Sequence, residues 1–200
     1  MSYKKHLYKD SKMASIIGDE LFTLEFKKNI PLQLIRSIMG QQLSTKVADV
    51  IYKRFLDLFK GKTITPKNVL QKTEEELRSI GLSFAKINYV YNVCNFCIEK
   101  KITDQSLHKL DNEEIIQLLT EIKGVGKWTV EMLLMFTLAR EDVFAVDDLG
   151  IQQAMIKLYK LPTENKKEMK LKMLEISKKW SPYKTYACLH LWAYKDDKTL

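Results

Sequence analysis

Apolar residues recur three or four positions apart through most of the chain and almost nowhere two apart. Val47, Val50, Ile51, Phe55, Leu58 and Phe59 make one such stripe behind Ser44, whose hydroxyl suits the free N–H groups of a helix start. Ile87, Val90, Tyr91, Cys94, Cys97 and Ile98 make a second within residues 83–101, and Met169, Met173, Ile176 and Trp180 a third within 166–180. Thr73 with Glu76, and Asp111 with Glu114, stand at capping-box spacing. Only residues 20–26 offer a short extended segment. The pattern predicts an all-α chain of about nine or ten helices joined by short loops, with no internal repeat, low-complexity run or linker.

Composition agrees with that reading. Two hundred residues suffice to bury a core in one domain or in two lobes that share it. With 46% hydrophobic and 29% charged residues the chain is neither disordered nor fibrous, and seven Gly and four Pro are too few for a turn-rich β architecture. The longest apolar stretch, Met132 to Phe136, is far short of a membrane span. The basic start, MSYKKHLYKDSK, has no apolar run behind it, so no signal peptide is expected and the chain reads as cytoplasmic.

Charge narrows the choice of partner. Thirty-three Lys and Arg against 25 Asp and Glu leave a net charge of +8, which favours a polyanion such as nucleic acid. Only Arg36, Arg54, Arg78 and Arg140 are arginines, so 29 of the 33 cations are Lys. Lysine attracts phosphate diffusely, whereas arginine makes the bidentate base contacts of sequence readout, so little sequence preference is expected. Three cysteines make no disulfide framework and point to a reducing compartment. Cys94 and Cys97 form a C-x-x-C, but both fall on a buried helical stripe with no second pair for a tetrahedral metal site, and read as core. His6, His108 and His190 lack ligand spacing.

The stretch IKGVGKWTVEML (residues 122–133) carries chemistry. An amphipathic helix from Asp111 to Glu121 ends, a Gly-Val-Gly turn follows, and a second helix starts near Lys127. Gly124 and Gly126 can take positive φ and leave no side chain between backbone and an approaching phosphate. The unpaired N–H groups of the turn and of the next helix, with its dipole, make an anion site that needs no particular base. A lone G-x-G is commonly only a turn. Here Ile122, Val130 and Leu133 stand at hairpin-packing positions beside Lys123 and Lys127, and the whole reads as a helix-hairpin-helix spanning about residues 111–137.

About twenty residues further on stands VFAVDDLGIQQ (143–153), where two acids precede a helix. By spacing alone they are an N-cap and a first-turn acid. Hairpin, spacer and aspartate together resemble the helix-hairpin-helix DNA glycosylase superfamily. Further landmarks resemble its 3-methyladenine DNA glycosylase II (AlkA-like) branch: IRSIMGQQLSTKVA (35–48), GLSFAKINY (81–89) and WSPYKTYACLHLW (180–192). The resemblance runs over roughly residues 30–194.

That resemblance implies a two-lobed, all-helical body with the active-site cleft between the lobes. Residues 30–145 would form the central lobe, and 1–29 with 146–200 the second. It implies a monomer acting on damaged double-stranded DNA by base flipping in base excision repair, hydrolysing the N-glycosidic bond of alkylated purines of the 3-methyladenine and 7-methylguanine type. Asp148 aligns with the family's catalytic acid, because Ile151 matches the apolar residue three places on, and Asp147 reads as an N-cap or secondary acid. Trp128 and Trp192, with Tyr183 and Tyr186, are candidates for the base pocket, the indoles being suited to stack on a cationic base. Lys123, Gly124, Val125, Gly126, Lys127 and Thr129 would meet the DNA backbone. Gln41, Gln42 and Leu43 are candidates for the wedge that fills the gap left by the flipped base, Gln42 first and Leu43 second. No catalytic metal is implied; a monovalent cation would sit at the backbone carbonyls of Thr120, Ile122 and Val125. The N-terminal β domain of larger members is not expected in a chain this short.

Two departures narrow the activity. Bifunctional members carry a Schiff-base lysine two residues after the second hairpin glycine, where this chain has Trp128, so no strand-cleaving lyase activity is expected. The four-cysteine tail of cluster-bearing members is absent, Cys188 being the single cysteine near the C-terminus, so neither an iron–sulfur cluster nor another cofactor is expected. The alternatives are a glycosylase for another purine lesion, such as hypoxanthine, and a non-catalytic helix-hairpin-helix DNA-binding module.

Overall fold

The computed structural model describes residues 2–196. In chain order its α-helices are α1 (Ser2–Leu7), α2 (Ser11–Ala14), α3 (Ile30–Gly40), α4 (Thr45–Asp57), α5 (Pro66–Val69), α6 (Glu74–Ser79) and α7 (Phe84–Glu99). They continue with α8 (Asp104–His108), α9 (Asn112–Thr120), α10 (Lys127–Phe136), α11 (Leu149–Tyr159), α12 (Lys166–Ser177) and α13 (Lys184–Asp196), a 3-10 turn at Lys178–Trp180 preceding the last. Thirteen α-helices among the described residues exceed the nine or ten that periodicity predicts. The excess is short helices: α5 and α8 have four and five residues and are started by capping boxes at Thr65/Asn68 and Thr103/Ser106. A single turn is too brief to display a 3.6-residue period. The expected extended segment at residues 20–26 has no strand; it runs as irregular chain, with Phe22 N–H donating to the Tyr3 hydroxyl at 3.1 Å.

The chain divides into two compact units, residues 26–133 and residues 1–25 with 134–200, so the second division falls inside α10 and not near 145. In the first unit α7 is the central helix, packed by α3, α5 and α6, with α4 against α3. Ile87, Val90, Val93, Cys94 and Cys97 bury its inner stripe, and Leu34, Ile35 and Ile38 bury that of α3. Burial pushes the thiols of both Cys94 and Cys97 up to about 12, which keeps them protonated and inert. Asp104 holds the start of α3, accepting from the N–H groups of Asn29 (2.9 Å) and Ile30 (3.0 Å).

The hairpin of this unit is α9, the turn Glu121–Gly126 and the start of α10. Gly124 takes φ of +103°, and a Cβ there would stand 2.3 Å from Tyr89 Cγ, far within van der Waals contact. This glycine is therefore demanded twice, by the left-handed backbone and by the α7 aromatic beneath it. Gly126 has no positive φ, and a Cβ there would meet open space, so nothing within the fold demands it.

In the second unit α11 packs on α13, and the N-terminal segment is sewn to the C-terminal helices. Asp10 caps α2 through Oδ1 and accepts at Oδ2 from the Tyr159 hydroxyl (2.9 Å) and the fully buried Trp180 indole (3.3 Å). Tyr3 stacks on Tyr186 with ring centroids 4.1 Å apart. His190 is buried among Tyr3 and Phe22, its Nε2 without a hydrogen-bond partner. No helix is long and apolar enough to cross a membrane among the described residues.

Two stability predictions follow from this packing. Gly124→Ala should destabilise the protein by about 2–4 kcal/mol in urea melts, combining left-handed strain with overpacking against Tyr89. In a Tyr89→Ala background the same substitution should cost only about 1 kcal/mol, because the strain remains and the clash does not. Burial, with the Lys4 ammonium, pulls the His190 imidazole down to about 4 from 6.5. The fold thus keeps His190 neutral while the unfolded chain takes up a proton below about 6.5, so stability present above that pH is lost as pH falls towards 4. Wild type should lose about 2–3 kcal/mol more than His190→Gln between pH 7 and 4.

Candidate active site

A short buried run, Val143, Ala145 and Val146, leads into the turn that presents the acids. Asp148 N–H closes this turn on Ala145 O (3.0 Å), and the buried Gln152 amide donates to Val146 O (2.8 Å). Asp148, in extended backbone at φ −69° and ψ 125°, is the N-cap of α11. Its Oδ1 accepts from the Ile151 N–H at 2.9 Å and from the Trp192 indole N–H at 2.8 Å. Asp147, expected as an N-cap or a secondary acid, does not cap α11 but ion-pairs with Lys170 at an exposed position. The acid at the helix start is therefore Asp148, and capping orients its carboxylate.

Gly150 completes this corner. A Cβ on it would stand 3.1 Å from Asp148 Oδ1 and 3.1 Å from the Trp192 ring, tighter than ordinary contact. In the sequence, the glycine two residues after the acid is the signal of this close approach. The Trp192 ring also lies against Phe136, centroids 5.8 Å apart and planes tilted 35°. Phe136 and Leu149 are exposed at 37% and 66%, so the carboxylate stands beside apolar surface open to solvent.

The tyrosines lie in a different network. Tyr186 is buried, stacked on Tyr3, and donates its hydroxyl to Glu141 at 2.9 Å. Burial, with Glu141 as acceptor, raises its phenol to about 12. Tyr183 stands edge-on to His6 and Tyr186. Both belong to the seam between α1 and α13.

The hairpin lies in the other unit. Val130 N–H is the first in α10 to bond back, to Gly126 O at 3.2 Å, so the preceding N–H groups have no acceptor within the helix. Lys123 and Gly126 are exposed, Val125 is buried with its N–H on Ile122 O (2.9 Å), and the Thr129 side chain is buried. Lys127 is half-exposed and leans along its own helix to Glu131, 3.7 Å away. Trp128 is 44% exposed on the first turn of α10. After α3, Gly40 to Leu43 make a tight turn whose tip, Gln42, takes φ of +59°. Gln42 and Leu43 are exposed, whereas Gln41 turns inward and donates its amide to Gly124 O at 3.1 Å. Among the described residues no group of three or more His, Cys, Asp or Glu side chains could hold a metal ion.

The chain is similar to known proteins in sequence and fold. The chain is 36% identical over 184 residues to DNA-3-methyladenine glycosylase 1 of Schizosaccharomyces pombe, covering 90% of this chain and 79% of the relative. A solved structure of 3-methyladenine DNA glycosylase from that yeast, in complex with abasic DNA, superposes with a TM-score of 0.85 at 31% identity, over 100% of this chain and 99% of the other. A DNA-3-methyladenine glycosidase from Bacillus halodurans superposes at 0.84 and 34% identity, over 98% and 89%. Residues 35–179, from α3 through the hairpin and the Asp148 cap to the turn before α13, match one family throughout. With hairpin, spacer and capped aspartate in this order, the chain belongs to the HhH-GPD superfamily of base excision DNA repair proteins.

Proposed function

We propose that the protein is a monofunctional DNA glycosylase that hydrolyses the N-glycosidic bond of alkylated purines of the 3-methyladenine and 7-methylguanine type in double-stranded DNA. The observation that carries this reading is the Asp148 carboxylate, held at one oxygen by the Ile151 N–H and the Trp192 indole. Breaking the bond between base and sugar leaves positive charge on the deoxyribose. A carboxylate about 4 Å from that charge contributes on the order of 4 kcal/mol at an effective dielectric of 20, close to a thousandfold in rate. A carboxylate already oriented by two donors loses little to reorganisation as the charge develops. It also orients or deprotonates the attacking water.

An alkylated purine is already cationic and leaves readily, so the reaction calls for neither a general acid nor a cofactor. The lesion would stack on indole, with Trp128 and Trp192 as the candidates. The hairpin amides and Lys123 would grip phosphate without reading bases, and Gln42 and Leu43 would occupy the gap left by the flipped base. Lys127, engaged with Glu131, and Trp128 at the Schiff-base position support hydrolysis without strand cleavage.

The test is incubation with duplexes carrying 3-methyladenine, 7-methylguanine, hypoxanthine or 8-oxoguanine. Free alkylpurine should be released and the abasic strand should break only after alkali or heat. Release of hypoxanthine alone would move the substrate to another lesion, and borohydride trapping of an enzyme–DNA adduct would overturn monofunctional action.

Asp148→Asn keeps side-chain size and much of the capping ability, so its melting temperature should barely move while base release falls on the order of a thousandfold. Asp147→Asn, which loses only an exposed ion pair, should cost far less. Trp192→Phe keeps an aromatic face and removes the N–H donor; single-turnover release should fall about tenfold to a hundredfold, the worth of a hydrogen bond to a charged group. Retained activity in Asp148→Asn would leave the catalytic assignment of Asp148 without support, and no base release by the wild type from any of these duplexes would leave the non-catalytic binding module as the reading.

A further inference from the structure

The tip of the turn after α3 is strained. Gly40 to Leu43 closes with Leu43 N–H on Gly40 O (3.1 Å), and Gln42, at the position of such a turn that favours glycine, takes φ of +59°. A non-glycine residue in the left-handed region persists where its surroundings hold it. The holding groups are visible. Lys86, on the first turn of α7, donates its ammonium to Met39 O and Gln41 O, both at 2.8 Å. The Gln41 side chain donates across to Gly124 O of the hairpin at 3.1 Å. The hairpin rests on the same face of α7: Tyr89 lies under Gly124, and Asn92 donates to Lys123 O at 3.1 Å. Lys86, Tyr89 and Asn92 are spaced three apart, so one helix face carries the turn at one end and the hairpin at the other. Partial burial lowers the Lys86 pKa somewhat, and the two carbonyls it meets compensate for lost water.

We propose that Lys86 and Gln41 are positioning residues that hold the Gln42–Leu43 tip in its strained form and tie it to the phosphate-gripping hairpin. The proposal rests on the wedge role given to that tip above. Neither residue touches the lesion; each acts by placing Gln42 and Leu43. A binding element and a wedge seated on one rigid helix face move as one body. Grip on the backbone then fixes where the wedge enters, with no separate ordering of the turn during flipping.

The experiment uses the full chain and a duplex with 7-methylguanine beside 2-aminopurine, whose fluorescence rises when the neighbouring base leaves the stack. Free base release is measured in single turnover and undamaged-duplex affinity by anisotropy. Lys86→Met should reduce the fluorescence rise and base release about tenfold while undamaged-duplex affinity stays within about twofold, with Lys86→Arg recovering most of the loss. In a Gln42→Ala/Leu43→Ala background Lys86→Met should add less than about twofold, because it acts through residues already removed. Loss of undamaged-duplex affinity in step with release, or the full loss persisting in that background, would overturn the proposal. A Gln42→Ala/Leu43→Ala protein that flips like wild type would also overturn it, together with the wedge assignment. Wild-type release of 7-methylguanine tests the glycosylase reading separately and stands whichever way the Lys86 result falls.

Discussion

The structure around Asp148 depends on a single oxygen. Oδ1 of Asp148 ends the unpaired N–H series of α11 by accepting from Ile151 and also accepts the indole N–H of Trp192 on α13. Both helices must therefore pack at a fixed separation, and Gly150 is the residue that lets them, since a methyl group there would press on the acid and the indole together. The need to cap a helix, usually a matter of stability, here also determines the direction of a negative charge. An acid placed by backbone geometry is better fixed than one on a long flexible side chain, which suits the electrostatic role proposed for it.

The same economy shows in the other unit. Helix α7 buries one stripe to build a core and uses another face, Lys86, Tyr89 and Asn92, to seat two loops by their backbone carbonyls and by ring contact. Those carbonyls are engaged within the unit, while the side chains of Lys123, Gln42 and Leu43 are exposed. A net charge of +8, carried almost wholly by lysine, adds long-range attraction without base preference.

Fold class, most long helices and the hairpin were legible in the sequence, because they rest on local rules. Ser44 caps α4 and Asp111 with Glu114 opens α9 where the spacing predicts. The four-residue and five-residue helices were not legible, since a single turn carries no periodicity and depends on its cap and its packing. Gly124 and Gly126 looked equivalent in the sequence. In the structure only Gly124 is demanded from inside, by Tyr89, a residue distant in the chain.

The sequence by itself determined that this is a helical, basic, hairpin-bearing chain with an acid after the hairpin, and its linked motifs were enough to resemble one repair family. What it left open was decided by contacts between distant residues. Capping and ion-pair partners separated Asp148 from Asp147, and a hydrogen bond turned Trp192 from a stacking candidate into a donor to the acid as well. Tyr186 entered a buried stack with Tyr3, and Gln41 turned from the wedge tip to the hairpin. Periodicity and capping act within a few residues, so they can be read along the chain; the direction of a side chain depends on what lies across from it, which only packing supplies.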